Sequence, residues 1–181
     1  MLDENERGRI VSATAAADSP PGRDPLSRLA RSGLLTGLTD GLFSSVLNVA
    51  FYHSTVARLF QGVASVPLGR GALDGGAQTA ALGVLIHFGV AFGWSAVFLL
   101  LVSRSARVRR LLDGPIGVIK VAAAYGPLIW MVMSFLVIPL FTRRLPSITV
   151  RWWVQFFGHI PFVGLPIVAS IGRGVARSPE P

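Results

Sequence analysis

A run of twenty-four residues without a formal charge, from Thr79 to Val102, constrains this chain more than any other feature. About 20 apolar residues at a rise of 1.5 Å cross the hydrocarbon core of a bilayer, so the run predicts a transmembrane helix. Its helical periodicity places Gly83 and His87 on one face and Gly89 and Gly93 on the opposite face. Small residues let another backbone approach closely, so we expect a bundle in which Gly83, Gly89 and Gly93 make helix contacts.

The composition agrees with a membrane protein. Half of the residues are apolar (51%) and only 14% are charged, which is far from the balance of a soluble domain. The net charge of +8 comes almost entirely from Arg, placed mostly between apolar runs, where Arg orients a protein and meets anionic lipid. We therefore predict the bilayer as a partner and do not expect a nucleic acid. The absence of Cys excludes disulfides, thiol catalysis and Cys-ligated metals.

The apolar runs predict an all-α polytopic membrane protein with four transmembrane helices. The spans are expected at about residues 33–55, 79–102, 116–141 and 150–171, within a membrane domain of residues 33–173. Pro127 and Pro139 predict a kink in the third span. Residues 1–32 lack an apolar run and are predicted to be a disordered tail, and residues 174–181 a short second tail.

A short amphipathic helix is predicted after the first span. Val56, Leu59, Phe60 and Val63 follow the spacing of one apolar helix face, which suits a helix lying in the membrane interface. Gly69 follows the run at a position suited to a helix end. A simple continuation of the first transmembrane helix is the alternative.

The distribution of Arg predicts the orientation. With four spans, eleven Arg lie on the side of both chain ends and five on the other side. Because basic residues concentrate in the cytoplasm, both termini are expected there, in a cell inner membrane. Contacts with lipid headgroups are predicted for four Arg after the second span and for an aromatic pair that opens the fourth: Arg104, Arg107, Arg109, Arg110, Trp152 and Trp153.

Five polar residues within or near the spans are candidates for chemistry, namely Asp40, Asn48, His87, Lys120 and His159. The predicted span boundaries put Asp40 and Lys120 at similar depth, which suggests a salt bridge, with a snorkelling Lys120 as the alternative. His87 and His159 also come to similar depth, and Asn48 to their level. Such a pair suits an interhelical hydrogen bond, a proton relay or haem ligation.

Three segments together are similar to a known group of proteins. They are LFQGVAS at 59–65, which leads to TAALG at 79–83, then MSFLVIPL at 133–140 and GHIPFVGLP at 158–166. In this order they resemble an uncharacterised family of small four-span bacterial inner-membrane proteins. The resemblance covers about residues 33–173. It implies a location and an architecture, and it implies no reaction and no functional residue.

No catalytic motif accompanies these features. The chain has no P-loop, no dinucleotide fingerprint, no metalloprotease motif and no serine between elbow glycines, so we predict no catalytic residue and no metal site. The leading expectation is a non-enzymatic packing bundle that self-associates or serves another membrane protein. A small transporter or proton-coupled pore that uses Asp40, His87, Lys120 and His159 is the alternative. A b-type haem electron carrier is the second alternative, and otherwise no cofactor is expected.

Overall fold

The computed structural model describes residues 24–172, and this part of the chain is helical without a strand. Four of its helices are long and apolar enough to cross a membrane. We label the helices in chain order α1 Pro25–Phe51, α2 Val56–Leu68, α3 Gly76–Arg104, α4 Ala106–Leu111, α5 Gly114–Thr142 and α6 Val150–Gly172. The predicted all-α architecture with four spans is confirmed, and α1, α3, α5 and α6 are the spans.

The start of α1 differs from the prediction, because the helix begins at Pro25 and not near residue 33. Asp24 caps it by accepting a hydrogen bond from the Ser27 backbone N–H at 2.9 Å, and the bonds from Ser27 lower the pKa of Asp24. Residues 25–32 are therefore helical, and the prediction of a disordered segment there is wrong. The other two tail predictions, for residues 1–23 and 174–181, lie outside the described residues. The remaining spans match the predicted boundaries within three residues.

Large apolar side chains cover the outward faces of all four spans. Leu42 of α1, Leu85 of α3, Leu136 of α5 and Phe157 of α6 are exposed over 68%, 69%, 62% and 58% of their surface. Water would penalise such a continuous apolar exterior, whereas lipid tails solvate it. The protein is therefore a multi-pass membrane protein.

Helix α2 is separate from α1, so the alternative of one continuous helix is wrong. His53 adopts a left-handed conformation (φ 49°) between the two helices, and the Thr55 side chain caps α2 through the Arg58 backbone N–H. Helix α2 ends at Leu68, and Gly69 follows it at the predicted helix end with a φ of 83°. The chain then turns back, so that the first half of α3 packs along α2. A Cβ at Gly83 would overlap the carbonyl group of Phe60, so α2 approaches α3 closely at the glycine for which the sequence predicts a helix contact.

The α1–α3 contact depends on glycines that repeat every four residues. Positions Gly33, Gly37 and Gly41 on α1 face the rings of Phe92, Phe88 and His87 on α3 in turn. The order of these pairs shows that the two helices run antiparallel. Toward the start of α1 in the same contact, the buried hydroxyls of Ser32 and Ser95 form a 2.8 Å hydrogen bond.

Proline shapes the contacts of α6. Pro166 has no N–H to donate to the carbonyl of Phe162 four residues earlier, and the helix widens into a π-type turn over Ile160–Gly164. The Phe162 carbonyl instead accepts a hydrogen bond from the Thr39 hydroxyl of α1 at 2.6 Å. A similar wide turn, Met133–Val137, precedes Pro139 in α5, where the sequence predicts a kink.

The two ends of the bundle differ in packing. We call the end that carries α2 and the α5–α6 loop the α2 side, and the end that carries α4 the terminal side. The terminal half holds a dense apolar core from α3, α5 and α6, which includes Phe98, Tyr125, Ile167 and Ile171. The Tyr125 hydroxyl also donates to the Trp94 carbonyl at 2.8 Å, which joins α5 to α3. No comparable core fills the described residues of the α2 half, and the candidate site lies there.

Candidate functional site: a cavity in the α2 half

A cavity of about 850 Å³ opens between the spans in the α2 half of the bundle. All four spans and α2 contribute to its wall. Helix α2 packs along α3 and reaches the Ile138–Thr142 end of α5, so it covers the space between these two spans. Most of the wall is apolar, with α2 contributing Leu59, Phe60, Val63 and Val66. This volume lies within the range in which proteins hold drug-sized ligands.

Three titratable side chains line the cavity at one level, namely Asp40 of α1, His87 of α3 and His159 of α6. Counted from the ends of their helices on the α2 side, they lie roughly 14–17 Å deep at 1.5 Å per residue. They therefore sit near the middle of a bilayer that is about 30 Å thick. The predicted common depth of the two imidazoles holds in the structure, and Asp40 joins them.

His87 connects this layer to the backbone of α1. Its Nε2 atom lies 2.9 Å from the Gly37 carbonyl oxygen. Because a carbonyl accepts but cannot donate, Nε2 carries the hydrogen of this bond. The other ring nitrogen, Nδ1, lies 3.9 Å from Oδ2 of Asp40. The His87 ring therefore lies between a backbone carbonyl and a carboxylate of α1.

His159 has a different partner. Its Nδ1 atom donates to the Gln155 carbonyl, one turn earlier on α6, at 2.7 Å. The ring packs against Trp130 of α5 with centroids 4.9 Å apart, and it is 6% exposed. Each imidazole therefore bonds to a backbone carbonyl, and the interhelical hydrogen bond of His87 runs to Gly37 and not to His159.

Several buried polar atoms in the cavity wall have no hydrogen-bond partner among the described residues. They comprise two indole N–H donors, two acceptor oxygens and one hydroxyl: Nε1 of Trp130 and Trp152, Oδ1 of Asp40, Oε1 of Gln155 and Oγ1 of Thr36. Buried polar groups are normally paired, and an unpaired one costs about 1–3 kcal/mol. All five atoms belong to residues that line this cavity, so unpaired polar groups are concentrated in its wall.

Two Arg side chains lie at the mouth of the cavity on the α2 side, Arg144 from the α5–α6 loop and Arg151 from the first turn of α6. Arg151 donates to Oδ1 of Asn48 at 3.1 Å and lies over the ring of Tyr52 at 4.1 Å. Neither Arg forms an ion pair with any residue that the structure describes. The mouth is therefore cationic, and one of its cations is held in place.

Two of the predicted polar candidates lie away from the level of the imidazoles. Lys120 is exposed and lies within the terminal half of α5, whereas Asp40 faces His87, so the hypothesis of an Asp40–Lys120 salt bridge is wrong. It failed because α1 starts earlier than expected, which moves Asp40 to mid-membrane. Asn48 is buried nearer the α2 side, where its amide donates to the Thr55 carbonyl at 2.9 Å and its oxygen accepts from Arg151.

The predicted surface residues separate into two groups. Trp152 is 7% exposed and lines the cavity, so its predicted contact with lipid headgroups is wrong, whereas its neighbour Trp153 is 47% exposed. Consecutive residues on a helix point about 100° apart, so the pair could not share one environment. The four Arg of the α3–α4 region are all exposed, and their contact with lipid remains a prediction: Arg104, Arg107, Arg109 and Arg110.

The predicted packing contacts of Gly89 and Gly93 are absent within the described chain. Both are exposed, and a Cβ at either position would have no neighbouring atom within 4 Å. The glycines that do pack closely against other helices include Gly83, the α1 repeat and three glycines of α5 and α6: Gly33, Gly37, Gly41, Gly126, Gly158 and Gly164. The four-residue spacing of that repeat is visible in the sequence and is the signal that would have identified it.

The imidazoles do not fit the arrangement for a b-type haem with two His ligands. Such a haem needs a free nitrogen lone pair on each of two facing rings. In His87, Nε2 donates to the Gly37 carbonyl and Nδ1 faces the Asp40 carboxylate. Both nitrogens of His87 therefore face polar groups of α1, so its geometry gives no support to a haem between the two rings.

Comparison with known proteins adds no relative. No family model, no curated protein and no solved structure matches this chain. The resemblance to a four-span family therefore stays a prediction, and the candidate site is interpreted from its own residues.

Proposed function

We propose that this protein is a small proton-coupled transporter whose binding site is the cavity of the α2 half. The observation that carries the proposal is the layer formed by Asp40, His87 and His159, which lines a cavity at mid-membrane depth. Ionisable groups are costly in a membrane and are found mainly where they serve ion or substrate pathways. The layer supplies one acid and two bases that are able to exchange protons with a bound molecule.

An alternating-access mechanism suits this cavity better than an open pore. The cavity reaches the α2 side, while the apolar core of Phe98, Tyr125, Ile167 and Ile171 fills the terminal half. A transporter of this kind presents its site to one side at a time, and a change in protonation is one way to favour one state. With both termini in the cytoplasm, as the Arg distribution favours, the cavity would face away from the cytoplasm.

Proton uptake into proteoliposomes tests the proposal. Vesicles loaded with a pH-sensitive dye and given a membrane potential that is negative inside should acidify faster with the protein than without it, because we expect the carrier without substrate to leak protons through its titratable layer. Asp40→Asn and His87→Gln should each remove this difference, because each variant removes one titratable member of the Asp40–His87 pair. Lys120→Gln is the matched control, since Lys120 is exposed outside the cavity, and it should behave as the wild type. If wild-type vesicles acidify no faster than protein-free vesicles, the proposal fails.

A packing or accessory bundle is the second candidate function. One observation favours it: Gly89 and Gly93 form an exposed small-residue face on α3 that no described part of the chain covers. Such a face lets the helix of a second copy or of another membrane protein approach closely. Gly89→Leu should then break self-association in detergent, and unchanged assembly would show that this face meets lipid.

A further inference from the structure

The mouth of the cavity and its unpaired donors indicate which class of molecule it binds. We propose that the ligand is a free, single-chain organic acid, which places its carboxylate between Arg144 and Arg151 and its apolar body in the cavity. This inference rests on the proposed transport function for its biological meaning, but it concerns binding alone and is tested separately.

The charge at the mouth favours an anion. Arg144 makes no hydrogen bond or ion pair with the described residues, and Arg151 bonds only to the neutral side chain of Asn48 and packs over Tyr52. Arg58, which belongs to the same side, differs because it lies 3.7 Å from the carboxylate of Asp74. The two Arg at the mouth therefore keep N–H donors for a ligand, and guanidinium groups match the two oxygens of a carboxylate.

A buried donor in the cavity wall points to the same chemistry. The indole N–H of Trp152 is buried without a partner among the described residues, although the side chain is 7% exposed and lines the cavity. It lies one residue after Arg151. Deeper in the cavity, the N–H of Trp130 is also unpaired. The wall of the cavity therefore holds two unpaired N–H donors that a carboxylate could accept from.

The wall between the mouth and the titratable layer indicates that the rest of the ligand is apolar. Val66 of α2 and Val137, Ile138 and Phe141 of α5 line this part of the cavity. A ligand with an apolar body buries this apolar surface, and the burial favours binding by about 25 cal/mol per Å². The cavity volume of about 850 Å³ suits a drug-sized body, which favours one chain over the two chains of a phospholipid.

Quenching of tryptophan fluorescence by brominated chains tests the inference directly, because three of the four Trp line the cavity: Trp94, Trp130 and Trp152. The probes are 11-bromoundecanoate, 11-bromoundecanol and 11-bromoundecyltrimethylammonium, added to the full chain in phosphatidylcholine nanodiscs. They carry the same chain with an anionic, a neutral and a cationic head. We expect saturable quenching with the tightest Kd for the carboxylate, and a Kd for it that rises with salt.

Three variants of neighbouring Arg assign the effect to the mouth. Arg144→Gln and Arg151→Gln should each weaken carboxylate binding about five- to tenfold, as expected for one charge-assisted contact, without changing the Kd of the alcohol. Arg143→Gln is the matched control, because Arg143 belongs to the same exposed loop but does not line the cavity. If Arg151→Gln does not fold, Arg144→Gln carries the test alone, since Arg144 has no hydrogen bond or ion pair with the described residues to lose.

The outcomes separate the inference from the proposed function. Equal Kd values for the three head groups, or equal effects of Arg143→Gln and Arg144→Gln, would overturn the anionic ligand and leave proton coupling untouched. Replacing part of the phosphatidylcholine by phosphatidylglycerol should not change the Kd of the carboxylate. Competition by phosphatidylglycerol would overturn the assignment to a free single-chain acid in favour of a membrane lipid.

Discussion

The close contact between α2 and α3 can be tested by comparing substitutions at two glycines of α3. Gly83→Ala places a methyl group against the carbonyl of Phe60, a backbone group that cannot rotate away. Gly89→Ala, on the same helix, places the same methyl group in open space. Replacing Gly by Ala favours the helix by about 1 kcal/mol in water, and because both variants gain it equally, this effect cancels in the comparison. What remains is the overpacking cost at Gly83, about 1–3 kcal/mol.

We therefore expect Gly83→Ala to have a free energy of unfolding about 1–3 kcal/mol below that of Gly89→Ala. The assay is reversible unfolding of both variants in mixed micelles with increasing SDS, followed by tryptophan fluorescence. Because Phe60 also contacts the His87 ring edge-on at 5.7 Å between centroids, a displaced α2 should in addition weaken binding of 11-bromoundecanol in the cavity. Equal stabilities and equal binding would refute the close packing of α2 on α3.

Three further predictions follow from other contacts. Thr39→Val should lower the free energy of unfolding by about 0.6 kcal/mol, the average for interhelical polar contacts in a membrane, because the bond to the Phe162 carbonyl is lost. In a Pro166→Ala background this cost should vanish, because residue 166 then donates to that carbonyl. An undiminished cost in SDS unfolding would contradict this. Because the chain has no Cys, a single introduced thiol can be labelled specifically. Ser44→Cys in the cavity wall should react with a membrane-impermeant thiol reagent from the α2 side only, while the fully buried control Ser95→Cys should stay unlabelled. Equal labelling of the two variants would count against the cavity. Reporters fused to both termini should report the cytoplasm, and a C-terminus on the opposite side would contradict the orientation.

The spans themselves were predictable because a membrane imposes a length and a composition on every crossing segment. Helices α3, α5 and α6 begin and end within three residues of the predicted limits. The error at α1 has a local cause. Residues 25–32 look polar as a group, yet Asp24 and Pro25 form a helix start of the usual kind, and this cap extends the helix beyond its apolar part. The earlier start then changed the estimated depth of Asp40 and its expected partner.

The inward face of α3 was also predictable from helix periodicity. Gly83 and His87 were expected on one face, and both face other parts of the bundle. Periodicity did not reveal which of the two small-residue faces packs within the chain. Gly89 and Gly93 fulfil the same spacing rule as the α1 glycines but are exposed. Glycines four residues apart show that another helix is able to approach closely, but they do not show which helix does so.

The sequence by itself determined that this chain crosses a membrane four times, because the length and apolarity of each span are properties of single segments. It also determined which side chains are costly enough inside a membrane to need a partner, among them Asp40, His87 and His159. Only the tertiary structure decided the partners and the cavity. The Asp40–His87 pair, the inward side of Trp152 and the position of α2 between α3 and α5 all depend on how helices far apart in the chain rotate and approach one another. That arrangement results from the packing of all the helices together, which the pattern of any one helix does not contain.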